Sequence, residues 1–193
     1  MATVCLTWQL KTHARTPLQG VITCIGFKFG NMEHIFADYN AIDDNLIVGT
    51  CPKTANDIDK LSKDDGVTAI LNLQRNEDFG KHNVDIRTIE AECKKLGILY
   101  DRVPIIDGCP ADLRKYLRQA VGMLDKLIRV DKKKVYLHCT AGVGRSPSVA
   151  VAYYYWKKGM NLNDAYAFVK SKRPICQPNK EAIQDATDDP DTS

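Results

Sequence analysis

No stretch of the chain approaches the ~20 consecutive apolar residues that a bilayer-spanning helix needs. The most apolar runs, residues 21–27 and 149–156, stop well short of that, so no membrane segment is expected. Histidine is scarce: His13, His34, His82 and His138 are scattered through the chain without the spacing of a metal site, and neither metal nor cofactor is expected. Net charge is small as well. With 27 Lys and Arg against 24 Asp and Glu, a formal +3 gives no electrostatic case for a nucleic-acid partner. The seven cysteines are odd in number and lack paired-framework spacing, which points to a reducing compartment and free thiols. There is no internal repeat and no low-complexity linker. A chain of 193 residues that is 44% apolar can bury a full core as one domain.

Acidic residues are missing from one region only. Residues 1–32 hold no Asp or Glu, while Lys11, Arg15 and Lys28 are basic and Thr3, Thr7, Thr12, Thr16 and Thr23 carry hydroxyls. This composition suits an N-terminal extension over residues 1–34, either an organelle transit peptide or an added segment. The absence of serine there runs against the transit reading. The acidic ending over 189–193 reads as a frayed tail. Between them, residues 35–188 form the expected catalytic domain.

What is present centres on residues 138–147, His-Cys-Thr-Ala-Gly-Val-Gly-Arg-Ser-Pro. A cysteine, five small or neutral residues and an arginine can close one turn of backbone around a phosphate. Cys139 would form the floor, Arg145 would fork onto two phosphate oxygens, and the amides of Thr140, Ala141, Gly142, Val143 and Gly144 would point inward. Thiols at helix N-termini beside arginine ionise near or below neutral pH, so a thiolate nucleophile aimed at phosphorus is expected. The chain supplies its own control. Six positions after Cys5, Cys24, Cys51, Cys93, Cys109 and Cys176 stand Lys11, Gly30, Asp57, Leu99, Lys115 and Ala182. Only Cys139 has its arginine, and it sits between an alternating strand at 134–138 and a helical stretch at 146–158. The plain alternative is a buried structural cysteine in a βα turn.

A leaving alkoxide needs a proton, so a carboxylic acid should face the cradle. Asp107 follows the strand-like 102–106 and precedes Gly108-Cys109-Pro110, which places it at a strand end beside the 134–138 strand on the same sheet edge. Asp101 and Asp112 compete, but Asp101 would lie inside the strand and Asp112 would cap a helix. In the resulting scheme Cys139 attacks phosphorus and Asp107 protonates the leaving oxygen. Water then hydrolyses the cysteinyl-phosphate with Asp107 as base. Ser146 would hydrogen-bond the departing thiolate, and His138 would bond backbone near the loop.

These residues are similar to the dual-specificity branch of the cysteine-based protein tyrosine phosphatase superfamily, over roughly 35–188. Within that branch the chain resembles most the glucan phosphatases, the laforin and plant starch-phosphatase group. The loop Cys-Thr-Ala-Gly-Val-Gly-Arg, the turn Leu46-Ile-Val-Gly-Thr-Cys-Pro52 and the segments Met160–Tyr166, Lys172-Arg173-Pro174 and Asn179–Ile183 carry that likeness. The resemblance implies Cys139 as nucleophile, Arg145 as phosphate clamp, Ser146 as second-step hydroxyl and Asp107 as general acid. It implies a phosphorylated glucan as substrate and a plastid destination, with the cytoplasm as the alternative.

The loop's neutral Thr140 and Val143 suit a lone phosphate on a mostly neutral molecule. Against the glucan reading, Gly108 stands where plant members carry an aromatic after the acid, and a further aromatic is replaced near 79–82. Tyr39 could retain one sugar platform, and no separate carbohydrate-binding module is expected. A phosphoprotein substrate carrying phospho-Ser, phospho-Thr or phospho-Tyr therefore stays open. So does an inactive phosphate-binding or scaffold module. Cys51, Cys93 and Cys109 could approach the loop and pair with an oxidised Cys139. The aromatic cluster Tyr153–Trp156 reads as core.

The expected fold is α/β, a mostly parallel sheet with helices on both faces. Strands are expected at Leu46–Gly49, Val67–Leu73, Ile98–Val103 and 134–138. Helices are expected at Asn56–Lys63, Val84–Leu96, Ala111–Val130, Ser146–Lys158, Asn163–Lys170 and Asn179–Ala186. In the longest of them Leu113, Leu117, Ala120, Leu124 and Leu127 form a stripe that would pack on the sheet. Lys132-Lys133-Lys134 reads as a solvated turn.

Overall fold

The computed structural model describes residues 37–188. The proposed extension at 1–34 and tail at 189–193 lie outside the described residues. Five strands form one sheet in the order β1-β2-β5-β3-β4. They are β1 Tyr39–Ala41, β2 Leu46–Gly49, β3 Ala69–Asn72, β4 Leu99–Arg102 and β5 Val135–His138. β1 runs antiparallel to β2, and every other pairing is parallel. The mostly parallel sheet expected from alternating strands and helices is therefore present. Two elements escaped the sequence pattern. β1 is only three residues with no buried face. A short helix, Asn76–His82, is so polar that it shows no stripe.

The helices are α1 Ala55–Lys63, α2 Asn76–His82, α3 Ile86–Lys95, α4 Pro110–Asp125, α5 Arg145–Lys158, α6 Leu162–Lys172 and α7 Lys180–Asp188. The predicted 111–130 helix ends its α-geometry at Asp125 and continues as a π-helical turn over Lys126–Val130. Wider winding there keeps Leu127 and Ile128 on the buried side. Lys132 follows in an exposed left-handed turn, as the solvated-turn reading expects.

Period-2 alternation divides the strands between two cores. Leu46, Val48, Leu71, Val135 and Leu137 pack against α4 to α7. Ile47, Ile70 and Tyr136 face the opposite way, onto α1 to α3. Each fully buried aliphatic side chain contributes roughly 1.5–3 kcal/mol. Tyr153 and Tyr154 are buried within the first core, and Trp156 donates its indole N–H to Thr187 Oγ1 at 2.9 Å. That cluster is core, as its sequence suggested. Tyr39 packs edge-on against Tyr136 with ring centroids 5.8 Å apart, and its hydroxyl donates to Asp65 Oδ2 at 2.5 Å. Its ring and hydroxyl are thus engaged within the fold.

Because β2 to β5 are parallel, their C-terminal ends share one edge, and the loops leaving β3, β4 and β5 converge there. One detail departs from expectation. The strand before Asp107 is not adjacent to the strand before Cys139: β3 lies between β4 and β5. Strand order is set by long-range pairing, which local pattern cannot read.

Candidate active site

Residues 139–144 form the loop between β5 and α5, and Arg145 is the first residue of α5. Cys139 is buried at 2% exposure. Ser146 Oγ lies 3.4 Å from Cys139 Sγ, oriented to donate to the sulfur. Four carbonyls of the loop are held from outside. His138 Nδ1 lies 3.0 Å from the Cys139 oxygen. The Cys51 amide donates to the Thr140 oxygen at 3.0 Å, and the Gln177 amide to the Val143 oxygen at 2.7 Å. Arg173 Nε donates to the Gly142 oxygen at 2.8 Å.

A trans peptide is planar, with its C=O and N–H pointing in opposite directions. Pulling those four oxygens outward therefore turns the amides of Thr140, Ala141, Val143 and Gly144 toward the loop interior. Added to the first turn of α5, they make an anion-binding concavity above the sulfur. Glycine is required at position 142, where φ is +63° and a Cβ would stand 2.6 Å from the Gly49 backbone.

His138 faces a carbonyl, so its Nδ1 must carry the proton. Its Nε2 is buried and without a hydrogen-bond partner among the described residues. Burial, opposed by the Cys139 backbone contact and helped by the charge of Arg145, lowers its pKa to about 4. The ring is therefore a neutral strut at physiological pH.

Arg145 is 3% exposed and committed on two sides. Nη1 donates to Asp78 Oδ2 at 2.7 Å and to the Ile105 oxygen at 2.9 Å, behind the loop. Nη2 donates to Thr140 Oγ1 at 3.0 Å, and Nε stands 3.0 Å from Asp107 Oδ1 as an ion pair without hydrogen-bond alignment. The Nε–Nη2 edge thus faces the cradle, with the fork geometry that fits two oxygens of a tetrahedral anion.

Asp78 is a residue the sequence did not reveal. Burial acts to raise its pKa, but the Arg145 hydrogen bond, the Arg75 amide and the Arg145 charge outweigh it and hold the carboxyl below its usual range. It comes from α2, the helix with no apolar signature. Gln74 is another: at 1% exposure it donates from Nε2 to Thr140 Oγ1 at 3.0 Å. Both follow β3, the strand that sequence order did not place between the two loops.

The structure brings Asp107 to the same edge on an exposed loop, its side chain 65% accessible. Asp112 is not the cap of α4, which is Cys109. Its carboxylate instead accepts the Ile106 amide at 2.6 Å and braces the residue before Asp107. Asp101 lies within β4. A hollow of about 230 Å³ opens between the two loops, lined by Asp107, Cys109, Leu113, Arg145, Ser148 and Gln177 among others. Of the three other cysteines considered, Cys51 touches the loop through its amide and Cys109 lines the hollow. Cys93 is buried in the core on the far side of the sheet. No cluster of three or more metal-ligating side chains occurs among the described residues, and none of their helices is long and apolar enough to cross a membrane.

Residues 47–186 match the family described as dual specificity phosphatase, catalytic domain. The chain is 40% identical over 153 residues to an amyloplastic phosphoglucan phosphatase, DSP4, of Castanea sativa, covering 79% of this chain and 40% of that protein. It is 34% identical over 178 residues to the chloroplastic phosphoglucan phosphatase LSF1 of Arabidopsis thaliana, covering 91% of this chain and 30% of that one. The chain thus spans well under half the length of these relatives. The crystal structure of the human tyrosine phosphatase-like serine/threonine/tyrosine-interacting protein superposes with a TM-score of 0.62 at 21% identity, over 78% of this chain and 93% of that one, a likeness of fold.

Proposed function

The chain belongs to the dual specificity phosphatase catalytic-domain family, and on that premise we propose that it hydrolyses phosphomonoesters through a cysteinyl-phosphate intermediate. The observation that carries this reading is the outward anchoring of four loop carbonyls above a buried sulfur, which leaves inward amides and one guanidinium edge for an oxyanion. Cys139 attacks phosphorus in line with the leaving oxygen. The amides of residues 140–144 and Arg145 neutralise the equatorial oxygens as charge spreads over them. Asp107 exchanges its contact with Arg145 for the leaving oxygen and protonates it. In the second half-reaction Asp107 takes a proton from water, and Ser146 donates to the sulfur as the S–P bond breaks.

The substrate we propose is a phosphoglucan. Thr140 and Val143 place no charge beside the cradle, which suits one phosphate on an otherwise neutral polymer. The names of the plant relatives agree with it. The plastid names of the same relatives support a plastid destination; residues 1–34 we propose as an N-terminal extension or transit peptide, and 35–188 as the catalytic domain. The test compares phosphate release from solubilised phosphoglucan with release from phosphopeptides, with Cys139→Ser as the blank. Faster release from glucan is the expected result. Equal or faster release from peptides removes the glucan reading and leaves the phosphatase reading standing.

A further inference from the structure

Arg173 heads the fully buried side chains by size, at 0% exposure. It lies 31 residues beyond Gly142, just after α6. All three of its nitrogens are engaged. Nε donates to the Gly142 oxygen at 2.8 Å, Nη1 to Asn40 Oδ1 at 2.8 Å and Nη2 to Asp38 Oδ2 at 3.0 Å. The Asp38 side chain is itself 61% exposed and Asn40 is half-buried in β1, so the fork reaches from the start of the sheet's antiparallel edge through the interior to the back of the loop. A buried ion pair is often no more stabilising than hydrocarbon of the same volume. Stability alone is therefore a weak reason for an arginine here.

The contact point supplies a stronger one. Gly142 is the loop residue with positive φ, and a glycine on one side of a peptide leaves that peptide the freest to rotate. If the Gly142–Val143 peptide turned over, a carbonyl would face the anion in place of the Val143 amide. The Gly142 α-carbon is also closed in by Arg173, whose Nη2 would lie 3.0 Å from a Cβ built there.

Resting on the reading of this loop as the phosphate site, we propose that Arg173 is a positioning residue for it. Its guanidinium, braced on Asp38 and Asn40, holds the Gly142 carbonyl outward and so keeps the Val143 amide aimed at the bound oxyanion. It touches neither substrate nor sulfur.

The test uses the full chain and four variants: Arg173→Lys, Arg173→Met, Asp38→Asn and Asn40→Ala. Inhibition by inorganic phosphate and by orthovanadate is measured with kcat and KM for an aryl phosphate, at a temperature where melting curves show each variant folded. Lysine keeps the charge, but its three donors share one nitrogen and cannot span acceptors that Arg173 meets with three separate nitrogens. Both Arg173 variants are expected to weaken phosphate about 10- to 100-fold, the value of one hydrogen bond to a charged group, and to lower kcat as well as raise KM. Asp38→Asn and Asn40→Ala loosen only the far end of the fork and should weaken phosphate a few-fold with little change in melting temperature. A residue that serves stability alone would lower the melting temperature and leave the inhibition constants unmoved, and that result overturns the proposal. Full retention of phosphate affinity in Arg173→Lys also overturns it, since charge rather than the fork would then suffice. Should neither Arg173 variant fold, unchanged inhibition in both Asp38→Asn and Asn40→Ala rejects it. Wild-type protein without turnover or phosphate inhibition rejects instead the reading of the loop itself.

Discussion

The loop carrying Cys139 and the loop carrying Asp107 meet at one sheet edge, yet they are built differently. The first is buried, with four carbonyls tied to three segments of the chain (the end of β5, the turn after β2 and the connection between α6 and α7) and its arginine pinned from behind by Asp78. The second is anchored at its stem, where Ile105 donates to the Leu73 oxygen and accepts from Arg145 Nη1, but its exposed tip over 106–108 is held by one bond from the Ile106 amide to Asp112 and an unaligned ion pair to Arg145. The anion half of the site is assembled in advance, whereas the proton half is held by few contacts. That difference suits the chemistry. Charge stabilisation works best when its dipoles need no reorganisation. In the proposed mechanism Asp107 leaves Arg145 and meets a leaving oxygen whose position depends on the substrate.

The comparison can be broken most severely at the sulfur. Cys139→Ser should lower phosphate release from an aryl phosphate by a factor on the order of 10⁴ or more, because the nucleophile itself is lost. Inhibitory phosphate should still bind in that variant, since the amides and Arg145 remain; loss of phosphate binding would show that the cradle depends on the sulfur. Asp107→Asn should lower kcat about 10²- to 10⁴-fold, the usual range for a general acid. Phosphate should bind it at least as well as the parent, because the competing carboxylate charge at Arg145 is gone. A kcat within a factor of two of the parent would assign the acid elsewhere.

The third prediction probes the buried side through pH. His138 titrates near 4 in the folded chain against an ordinary value of 6.5. Between those values the unfolded chain binds the extra proton, so stability falls as pH drops from about 6.5 to about 4 and levels off below. The loss attributable to this ring is on the order of 3 kcal/mol. Denaturant melts of wild type and His138→Gln across that range should converge toward acid; parallel curves would mean the ring is not held neutral. The smallest effect belongs to the exposed loop. Asp112→Ala should lower kcat several-fold while phosphate inhibition stays put, because only the brace on Ile106 is removed. A change in phosphate inhibition instead would tie the two loops together more closely than their contacts suggest.

Much of this was legible beforehand. The candidate phosphate loop is contiguous, so Cys139, Arg145 and Ser146 could be proposed from spacing within one strand–turn–helix unit. Leu113, Leu117, Ala120 and Leu124 likewise report a buried helix face through their periodicity. Asp107 could be picked because it stands in a turn-rich stretch after a strand, although that strand, β4, ends at Arg102 and not at Ile106 as the pattern suggested. Asp112 was misjudged as a cap, since only the folded path of residues 104–108 brings the Ile106 amide to its carboxylate.

The amino-acid sequence by itself determined the elements other than β1 and α2, the two-sided α/β core and the candidate phosphate segment, because each follows from periodicity or contiguous spacing. Tertiary structure alone decided what supports that segment. Asp78 and Gln74 serve the loop because β3 inserts between β4 and β5, and Arg173 serves it because the chain after α6 returns to the back of Gly142. Such contacts join residues 31 to 67 positions apart, and they are set by strand order and packing, to which local propensity is blind.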